Sequence, residues 1–298
     1  MTCVQNPAVG REEALGAGTL ARAARRKRVV VVGGGPAGLE AAWVAAARGH
    51  EVQLVERDIR LGGKVHWAAL LPGRAELLDH AQWRIEECKR RGVHFQLGRE
   101  ATRDSVLALE PDAVIVATGG RATKTGHAKW HPFAISGIER DFALDHEEAL
   151  RRTDELRGRV VILDAVGHIE GIGLGELLAS RGAEVTLASP LASPMLLDAE
   201  TLAAALPRAV RAGVRWRPTH GLVAIGDREV TLLDLLAARP ERIEAVDWVV
   251  IRTHGVPDDR LYFELKHAAP DVVRVGDAVA VRLLDRAIFD GHAAGRRV

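Results

Sequence analysis

The stretch that decides the fold is Val29-Val30-Val31-Val32-Gly33-Gly34-Gly35-Pro36-Ala37-Gly38, and an alanine-rich segment follows it up to Arg48. Four β-branched residues in a row predict a strand that is buried on both faces, and the alanine-rich segment predicts a helix. Glycines at the junction permit a tight turn and a close approach between the backbone and a ligand. The stretch therefore predicts the strand, turn and helix that open a dinucleotide-binding βαβ unit.

The rest of this unit follows at the expected spacing. A second predicted strand, Glu51 to Val55, ends next to Glu56, which lies 23 residues after Gly33. An acidic residue at about this distance binds the ribose hydroxyls of a dinucleotide. Gly33 allows the tight turn, Gly35 allows the backbone to approach a pyrophosphate, and Gly38 allows the helix to pack close to the strand. We therefore predict an adenine-nucleotide site here.

A second copy of the pattern starts with the predicted strand Val160 to Leu163, which indicates an internal duplication. Its turn, Asp164 to Gly171, is two residues longer than the first and opens with an aspartate, whose carboxylate would repel a pyrophosphate. Ser189 takes the position of Glu56. We expect the second half to keep the fold and to have lost ordinary NAD(P) binding.

Composition and short motifs exclude several function classes. Lys and Arg total 41 and Asp and Glu total 40, so the net charge of +1 gives no reason to expect nucleic-acid binding. Two cysteines without a CxxC pair exclude a dithiol active site, and we expect Cys88 to be a small buried residue on a helix from Glu76 to Arg91. Without a long apolar run we expect no membrane contact and a cytoplasmic location. No residue is predicted to be catalytic.

These patterns predict an α/β fold with two Rossmann-like domains of the FAD/NAD(P)-binding type, the second inserted into the first. Near the end, a strand from Val272 to Val275 leads into Gly276-Asp277 and then a helix from about Leu284. The predicted boundaries are 1–27 for an extended arm and linker, 28–120 and 266–298 for the FAD/ADP-binding domain, and 121–265 for the inserted domain with a degenerate dinucleotide site.

The chain resembles the C-terminal nucleotide-binding region of the multidomain old yellow enzyme relatives, which include trimethylamine dehydrogenase, histamine dehydrogenase, N-methylproline demethylase and 2,4-dienoyl-CoA reductase. The resemblance covers nearly the whole chain. The strings that carry it are Thr2-Cys3-Val4-Gln5-Asn6-Pro7-Ala8-Val9-Gly10-Arg11-Glu12, Val29 to Glu40, Leu61-Gly62-Gly63-Lys64, Ala117-Thr118-Gly119 and Gly276-Asp277-Ala278-Val279-Ala280.

This resemblance implies a larger assembly. In the relatives, an N-terminal TIM barrel holds FMN, and Cys3 matches the fourth cysteine ligand of a 4Fe–4S cluster. One thiolate cannot hold a cluster, so the other ligands belong to a partner chain or to a missing N-terminal domain. Two departures from the family pattern are Val281, where many relatives have proline, and Arg252-Thr253-His254-Gly255, which replaces a small-residue string.

The resemblance also implies the function and the site. We expect an FAD- or ADP-binding module of an FMN and 4Fe–4S dehydrogenase or demethylase that acts on amines and passes electrons to a protein acceptor such as an electron-transfer flavoprotein. The alternative is a self-contained NAD(P)H-dependent FAD oxidoreductase. The cofactor-binding candidates are Gly33, Gly35, Pro36, Ala37, Gly38, Glu56, Arg57, Gly63, Lys64, Ala117, Thr118, Gly119, Gly276 and Asp277.

Overall fold

The computed structural model describes residues 3–298, so that Thr2 lies outside the described residues. Contacts between residues divide the chain into two compact units. Unit 1 consists of the residues up to His66, then Glu76–Arg121 and Val256–Val298, and unit 2 consists of Trp67–Ala75 and Ala122–Gly255. Strands and helices are numbered below in chain order.

Unit 1 is built from a parallel sheet, a short antiparallel pair of strands and the helices between the strands. Its strands are β1 (Arg28–Val32), β2 (Glu51–Val55), β3 (His94–Gln96), β4 (Ala113–Val116), β5 (Gly120–Arg121), β14 (Val256–Pro257) and β15 (Val272–Arg274). Its helices are α1 (Glu12–Leu15), α2 (Pro36–Ala47), α4 (Leu77–Arg90), α5 (Arg103–Leu107), α9 (Arg260–Leu265) and α10 (Leu284–Arg297). Gly276–Ala278 form a 3₁₀ turn, and helix α3 (Val65–Ala68) begins in unit 1 and ends in unit 2.

The main sheet of unit 1 has the strand order β15-β4-β1-β2-β3, and its pairings are parallel. Strand β1 is central, and its residues Val29–Val32 are buried because helices cover both faces of such a sheet. Helix α10 packs closely on α2, since a Cβ built at Gly291 would lie 2.2 Å from the carbonyl oxygen of Ala37. The glycine therefore lets two helix backbones touch near the start of α2.

Unit 2 repeats this design and adds antiparallel strands. Its strands are β6 (Ala143–Asp145), β7 (Arg159–Asp164), β8 (Glu184–Ala188), β9 (Arg215–Arg217), β10 (His220–Ile225), β11 (Glu229–Asp234), β12 (Arg239–Glu244) and β13 (Trp248–Arg252). Its helices are α6 (His146–Arg151), α7 (Ile169–Ser180) and α8 (Ala199–Arg211).

The main sheet of unit 2 has the order β6-β13-β7-β8-β9 with parallel pairings, and β10, β11 and β12 form a separate antiparallel sheet. The strands β7, β8 and β9 follow one another outward from the centre in the same way as β1, β2 and β3. The predicted α/β fold with Rossmann-type domains is confirmed, whereas the insertion of one domain into the other stays a prediction.

The two units differ from the predicted boundaries in two segments. Residues 67–75 belong to unit 2 because Leu71 is part of its apolar core with Ile172 and Leu178. Residues 256–265 belong to unit 1, where β14 pairs with β5 and Leu265 is part of an apolar cluster with the valines of β1. Long-range packing decides which unit each segment joins, and neither segment has a local sequence pattern that indicates this unit.

The arm at the start of the chain was expected to be extended, but it contains the short helix α1. A four-residue helix shows no periodicity in the sequence. The arm lies on unit 1: the Arg11 guanidinium stands 4.6 Å from the ring centroid of Phe289, and Arg296 Nη2 donates to the carbonyl oxygen of Thr19 at 2.7 Å. Across residues 3–298, no helix has both the length and the apolar character needed to cross a membrane.

Candidate nucleotide-binding site

The turn between β1 and α2 has no room for a side chain at two of its glycines. Gly33 has φ +108°, and a Cβ built there would lie 2.3 Å from the carbonyl oxygen of Ala117. A Cβ at Gly38 would lie 1.9 Å from the carbonyl oxygen of Gly33. Both distances are far below any real contact, so these glycines are required for α2 to pack against the strands.

Gly35 differs from its two neighbours in the motif. Its backbone is extended, and a Cβ built there would meet none of the described atoms within 4 Å. It is the N-cap of α2, and Pro36 and Ala37 are the first two helical residues, so the N–H groups that lack an intrahelical partner lie at this end of the helix. The fold does not need glycine at this position. The space it leaves fits a phosphate group at the helix N-terminus.

Glu56 lies at the carboxyl end of β2, and its side chain is held next to the glycine turn. Its Oε2 accepts a hydrogen bond from the backbone N–H of Gly34, and its Oε1 accepts one from Asp58 N at 2.9 Å. A carboxylate has about four acceptor positions, so these two bonds leave capacity for ribose hydroxyls. Arg57, the next residue, is exposed.

A second loop, Leu61–Lys64, lies against the glycine turn. Gly62 N donates to the carbonyl oxygen of Gly34 at 2.8 Å, and a Cβ built at Gly63 would lie 3.1 Å from Gly35 Cα. Gly63 and the partly buried Lys64 are thereby brought to the predicted site. Gly34 and Gly62 were missed as site residues, although both stand inside glycine runs quoted from the sequence. A side chain at Gly34 would collide with Leu61 and Glu56.

Ala117, Thr118 and Gly119 continue β4 across the same end of the sheet. Ala117 N donates to the carbonyl oxygen of Val32 at 2.7 Å, which extends the pairing of β4 with β1 by one residue. Thr118 Oγ1 donates to the carbonyl oxygen of Asp258, whose own N–H donates to the carbonyl oxygen of Gly119 at 2.9 Å. These small residues therefore let the chain pass close to the glycine turn.

Gly276 and Asp277 lie in the 3₁₀ turn after β15. Gly276 has φ +61°, and a Cβ built there would lie 2.8 Å from Ala37 Cβ, so this turn reaches the first turn of α2. Asp277 Oδ1 accepts a hydrogen bond from Arg282 N at 3.0 Å. Val281 packs where a Cβ of Gly120 would lie, next to Asp277 Cβ. The contacts thus collect the predicted residues of unit 1 at the carboxyl ends of β1, β2, β4 and β15, with Arg57 alone directed to solvent.

The corresponding turn of unit 2 is filled by its own side chain. Asp164, the last residue of β7, is buried, and its Oδ1 accepts hydrogen bonds from Val166 N at 3.0 Å and Gly167 N at 2.9 Å. A Cβ built at Gly171, the counterpart of Gly38, would lie 2.5 Å from Asp164 Oδ2. Burial raises the pKa of the Asp164 carboxyl. The Asp164 side chain therefore fills the space inside the turn and also uses the backbone N–H groups of Val166 and Gly167.

The end of β8 lacks the acidic residue found at the end of β2. Ser189 is buried, and its Oγ accepts a hydrogen bond from Leu191 N at 3.2 Å. The following loop covers the turn of unit 2, because Leu196 N donates to the carbonyl oxygen of Gly167 at 3.0 Å. The side chain of Leu191 occupies the space beside Gly167 that a Cβ would need.

The two cysteines have different surroundings. Cys88 is fully buried on α4, and burial raises the pKa of its thiol to about 12. Cys3 is partly buried beside Asn6, Pro7 and Phe289, and its Sγ accepts a hydrogen bond from Gln5 N at 3.4 Å. Between residues 3 and 298, no group of three or more His, Cys, Asp or Glu side chains is placed to hold a metal ion.

Comparison with known proteins gives relatives of the predicted kind. A probable N-methylproline demethylase of Rhizobium meliloti (strain 1021) is 31% identical over 97% of this chain and 45% of its own length. An NADH oxidase of Thermoanaerobacter brockii is 34% identical over 68% of this chain and 30% of its own length. The structure of histamine dehydrogenase from Rhizobium sp. 4-9 superposes with a TM-score of 0.92 at 26% identity, over 100% of this chain and 48% of that one.

The chain spans less than half the length of each of these three relatives. The predicted resemblance to the nucleotide-binding region of amine-oxidising multidomain flavoproteins is confirmed. Residues 27–269 match the model of one family, described as pyridine nucleotide-disulphide oxidoreductase. By its two Rossmann-type sheets and this match, the chain belongs to the pyridine nucleotide-disulphide oxidoreductase family.

Proposed function

We propose that this chain is the adenine-nucleotide-binding module or subunit of an FMN and 4Fe–4S flavoprotein that dehydrogenates or demethylates amines. Unit 1 binds ADP or the ADP part of FAD, and unit 2 binds no dinucleotide. The observation that carries the proposal is the contrast between two equivalent turns. In unit 1 the N-cap of α2 is Gly35 and the space beside it is free of described atoms, whereas in unit 2 the N-cap of α7 is His168 and Asp164 takes up the N–H groups of Val166 and Gly167 in its own turn.

The residues of unit 1 fit an ADP group in shape and in donor chemistry. The N–H groups at the start of α2 bind the pyrophosphate, and Gly35 leaves room for it. Glu56 accepts hydrogen bonds from the adenosine ribose, and Asp277 accepts them from further hydroxyl groups of the ligand. Lys64 adds positive charge beside the pyrophosphate. A bound FAD would supply a two-electron redox centre, while ADP would have a structural role only.

The larger assembly rests on the size and names of the relatives. Since the chain spans less than half of each relative, a further domain or chain supplies the remainder, and we propose that it is an FMN-binding TIM barrel. Two relatives are named for action on amine compounds, N-methylproline and histamine. In this assembly Cys3 would be the fourth thiolate ligand of the 4Fe–4S cluster, and electrons would pass to a protein acceptor such as an electron-transfer flavoprotein.

The direct test is to identify the nucleotide that the chain binds. We expect the purified protein to release ADP or FAD on denaturation, and its absorption spectrum distinguishes the two. Gly35→Asp places a carboxylate in the phosphate space and should abolish binding while the fold is kept, because no described atom crowds that position. If the wild type neither releases an adenine nucleotide nor binds added ADP or FAD, the proposal is wrong.

A second candidate is a complete NAD(P)H-dependent FAD oxidoreductase, which the similarity to an NADH oxidase favours. The two candidates differ in the second unit. Stopped-flow mixing of the FAD-loaded chain with stoichiometric NADH or NADPH should leave the flavin oxidised if unit 2 is closed. Rapid bleaching of the flavin absorbance would instead establish the reductase.

A further inference from the structure

At the carboxyl ends of two neighbouring strands of unit 2, an ion pair joins the start of a helix to the end of a strand. Glu170 lies in the first turn of α7, the helix that follows β7, and Arg252 is the last residue of β13, which pairs with β7. Arg252 Nη2 stands 3.6 Å from Glu170 Oε1. In open parallel sheets, ligands bind in the crevice outside the carboxyl ends of such neighbouring strands. The ion pair therefore lies in the ordinary ligand position of this fold.

Glu170 is held in that position by two basic groups. Its Oε2 lies 2.8 Å from His168 Nδ1, and its Oε1 faces Arg252. Burial tends to raise the pKa of Glu170, but Arg252 and His168 outweigh this effect and keep that pKa well below its usual range. The side chain is thus a carboxylate anion at the N-terminus of α7, where the helix dipole also favours negative charge.

Arg252 has hydrogen-bonding capacity that Glu170 does not use. Its side chain is 11% exposed, its Nη1 donates to the carbonyl oxygen of Thr253 at 2.8 Å, and its buried Nε has no hydrogen-bond partner among the described residues. A guanidinium offers five N–H donors in a fork that matches phosphate oxygens. The Arg252 guanidinium is thus suited to an anion with more oxygen atoms than the Glu170 carboxylate has.

We propose that Glu170 is a built-in anion that determines ligand specificity in unit 2. Its carboxylate occupies the position between the N-terminus of α7 and Arg252 that the pyrophosphate of a nicotinamide dinucleotide would take. The inference rests on the proposed function, in which unit 1 alone carries a nucleotide, and it adds Glu170 to Asp164 as a residue that keeps a dinucleotide out of unit 2. Asp164 closes the turn behind Glu170, and the loop that contains Leu191 covers the turn at Gly167.

The consequence is that Glu170 closes the crevice of unit 2 to reduced dinucleotides, although the crevice keeps the cation Arg252. NADH and NADPH carry a pyrophosphate that meets the Glu170 carboxylate at close range, and the repulsion is strong in a partly buried position. Under the proposed function, electrons would therefore come from the amine substrate and not from NADH or NADPH.

The test uses the full chain saturated with ADP, so that unit 1 is occupied, and inorganic pyrophosphate and NADH as the probes. We expect Glu170→Ala to bind pyrophosphate at least about tenfold more tightly than the wild type, and its affinity for NADH to rise as well. The matched control is Glu176→Ala, which removes another carboxylate of α7 whose Oε1 lies 2.6 Å from Arg208 Nε. This control should bind the probes as weakly as the wild type.

Two further variants make the result decisive. Glu170→Gln keeps the shape of the side chain and removes its charge, so it should also gain affinity even if the alanine variant is less stable. Adding Arg252→Met to Glu170→Ala should abolish the gain, because the gain depends on the guanidinium. If neither Glu170 variant binds pyrophosphate more tightly than the wild type, the proposal is overturned. If instead the ADP-saturated wild type already binds NADH tightly, the proposed function is wrong in its statement that unit 2 binds no dinucleotide.

Discussion

Arg84 on α4 and Glu40 on α2 form an ion pair that is almost completely buried, with Arg84 Nε 2.7 Å from Glu40 Oε2. The second carboxylate oxygen of Glu40 lies 2.8 Å from His292 Nδ1 on α10. Arg84 also donates to the carbonyl oxygens of His80 and Gln5. The guanidinium therefore connects α4 with α2 and with the arm that carries the first cysteine, and the Glu40 carboxylate extends the connection to α10.

Removal of this guanidinium should be strongly destabilising. Arg84→Met leaves a buried carboxylate without its main partner, and we expect the free energy of unfolding to fall by about 3–5 kcal/mol. Arg90→Met on the same helix removes an arginine whose side chain is 65% exposed, and it should cost less than about 1 kcal/mol. Urea unfolding followed by circular dichroism measures both. Equal stability of the two variants would show that the buried pair contributes little.

The glycines of the first turn should separate folding from binding. Gly35→Ala should change the free energy of unfolding by less than about 1 kcal/mol, because its backbone is extended and its surroundings are open. The same change should weaken ADP binding by about tenfold or more, since the new methyl group lies in the phosphate space. Gly38→Ala should destabilise the fold by about 1–3 kcal/mol through its collision with the Gly33 carbonyl. Thermal melts and ADP titration calorimetry test the pair, and a Gly35→Ala protein that binds ADP normally would contradict the site.

Asp164 should make stability depend on pH in an unusual direction. Burial raises its pKa above that of the unfolded chain, so ionisation costs stability as the pH rises through the interval between the two values. Asp164→Asn should therefore melt at a higher temperature than the wild type at pH 8, and this difference should vanish as the pH falls to the ordinary aspartate pKa of about 3.9.

The control for this effect is Asp198, the N-cap of α8. Its pKa lies below the usual range because Thr201 N donates to its carboxylate. Its contribution is present above the pKa of the unfolded chain and is lost as the pH falls through its folded pKa. Asp198→Asn should therefore lower the melting temperature at neutral pH, opposite in sign to Asp164→Asn. Differences of the same sign would contradict the assignment of a buried carboxyl group at Asp164.

The thiols should react at very different rates. At pH 8 a thiol with a pKa of about 12 is ionised to roughly one part in 10⁴, and Cys88 is also buried. A thiol reagent should therefore label Cys3 alone in the folded protein and both cysteines in denaturant. Cys3→Ala should abolish labelling of the folded chain, and mass spectrometry of the labelled peptide shows which thiol has reacted.

Cys3 also tests the proposed assembly. Mixed with an FMN-binding barrel chain that carries the other three cysteines, the chain should form a stable complex that contains iron and acid-labile sulfide. Cys3→Ala should lower the iron and sulfide content and leave ADP binding unchanged. A cluster that is indifferent to this substitution, or rapid amine turnover by the chain alone, would contradict the assembly.

Local signals in the sequence were sufficient to predict the glycine turn of unit 1 and insufficient to predict the contacts at the corresponding end of unit 2. The strand, turn and helix of unit 1 are contiguous, and each glycine has its own steric reason, so Gly33, Gly35 and Gly38 could be predicted. The sequence showed Asp164 as a repelling charge, but its hydrogen bonds to its own turn appear only in three dimensions. Glu170 and Arg252 are far apart in sequence, and only the pairing of β7 with β13 brings them together.

The close packing of Gly276 and Gly291 on Ala37 has a consequence for how the protein is made. These residues are synthesised after the whole of unit 2, so most of the chain must leave the ribosome before the first turn of α2 acquires its cover. Contacts between such distant parts of a chain form slowly. A nascent chain that stops short of Gly276 has already produced every residue of unit 2, while the proposed nucleotide site of unit 1 still lacks one of its walls.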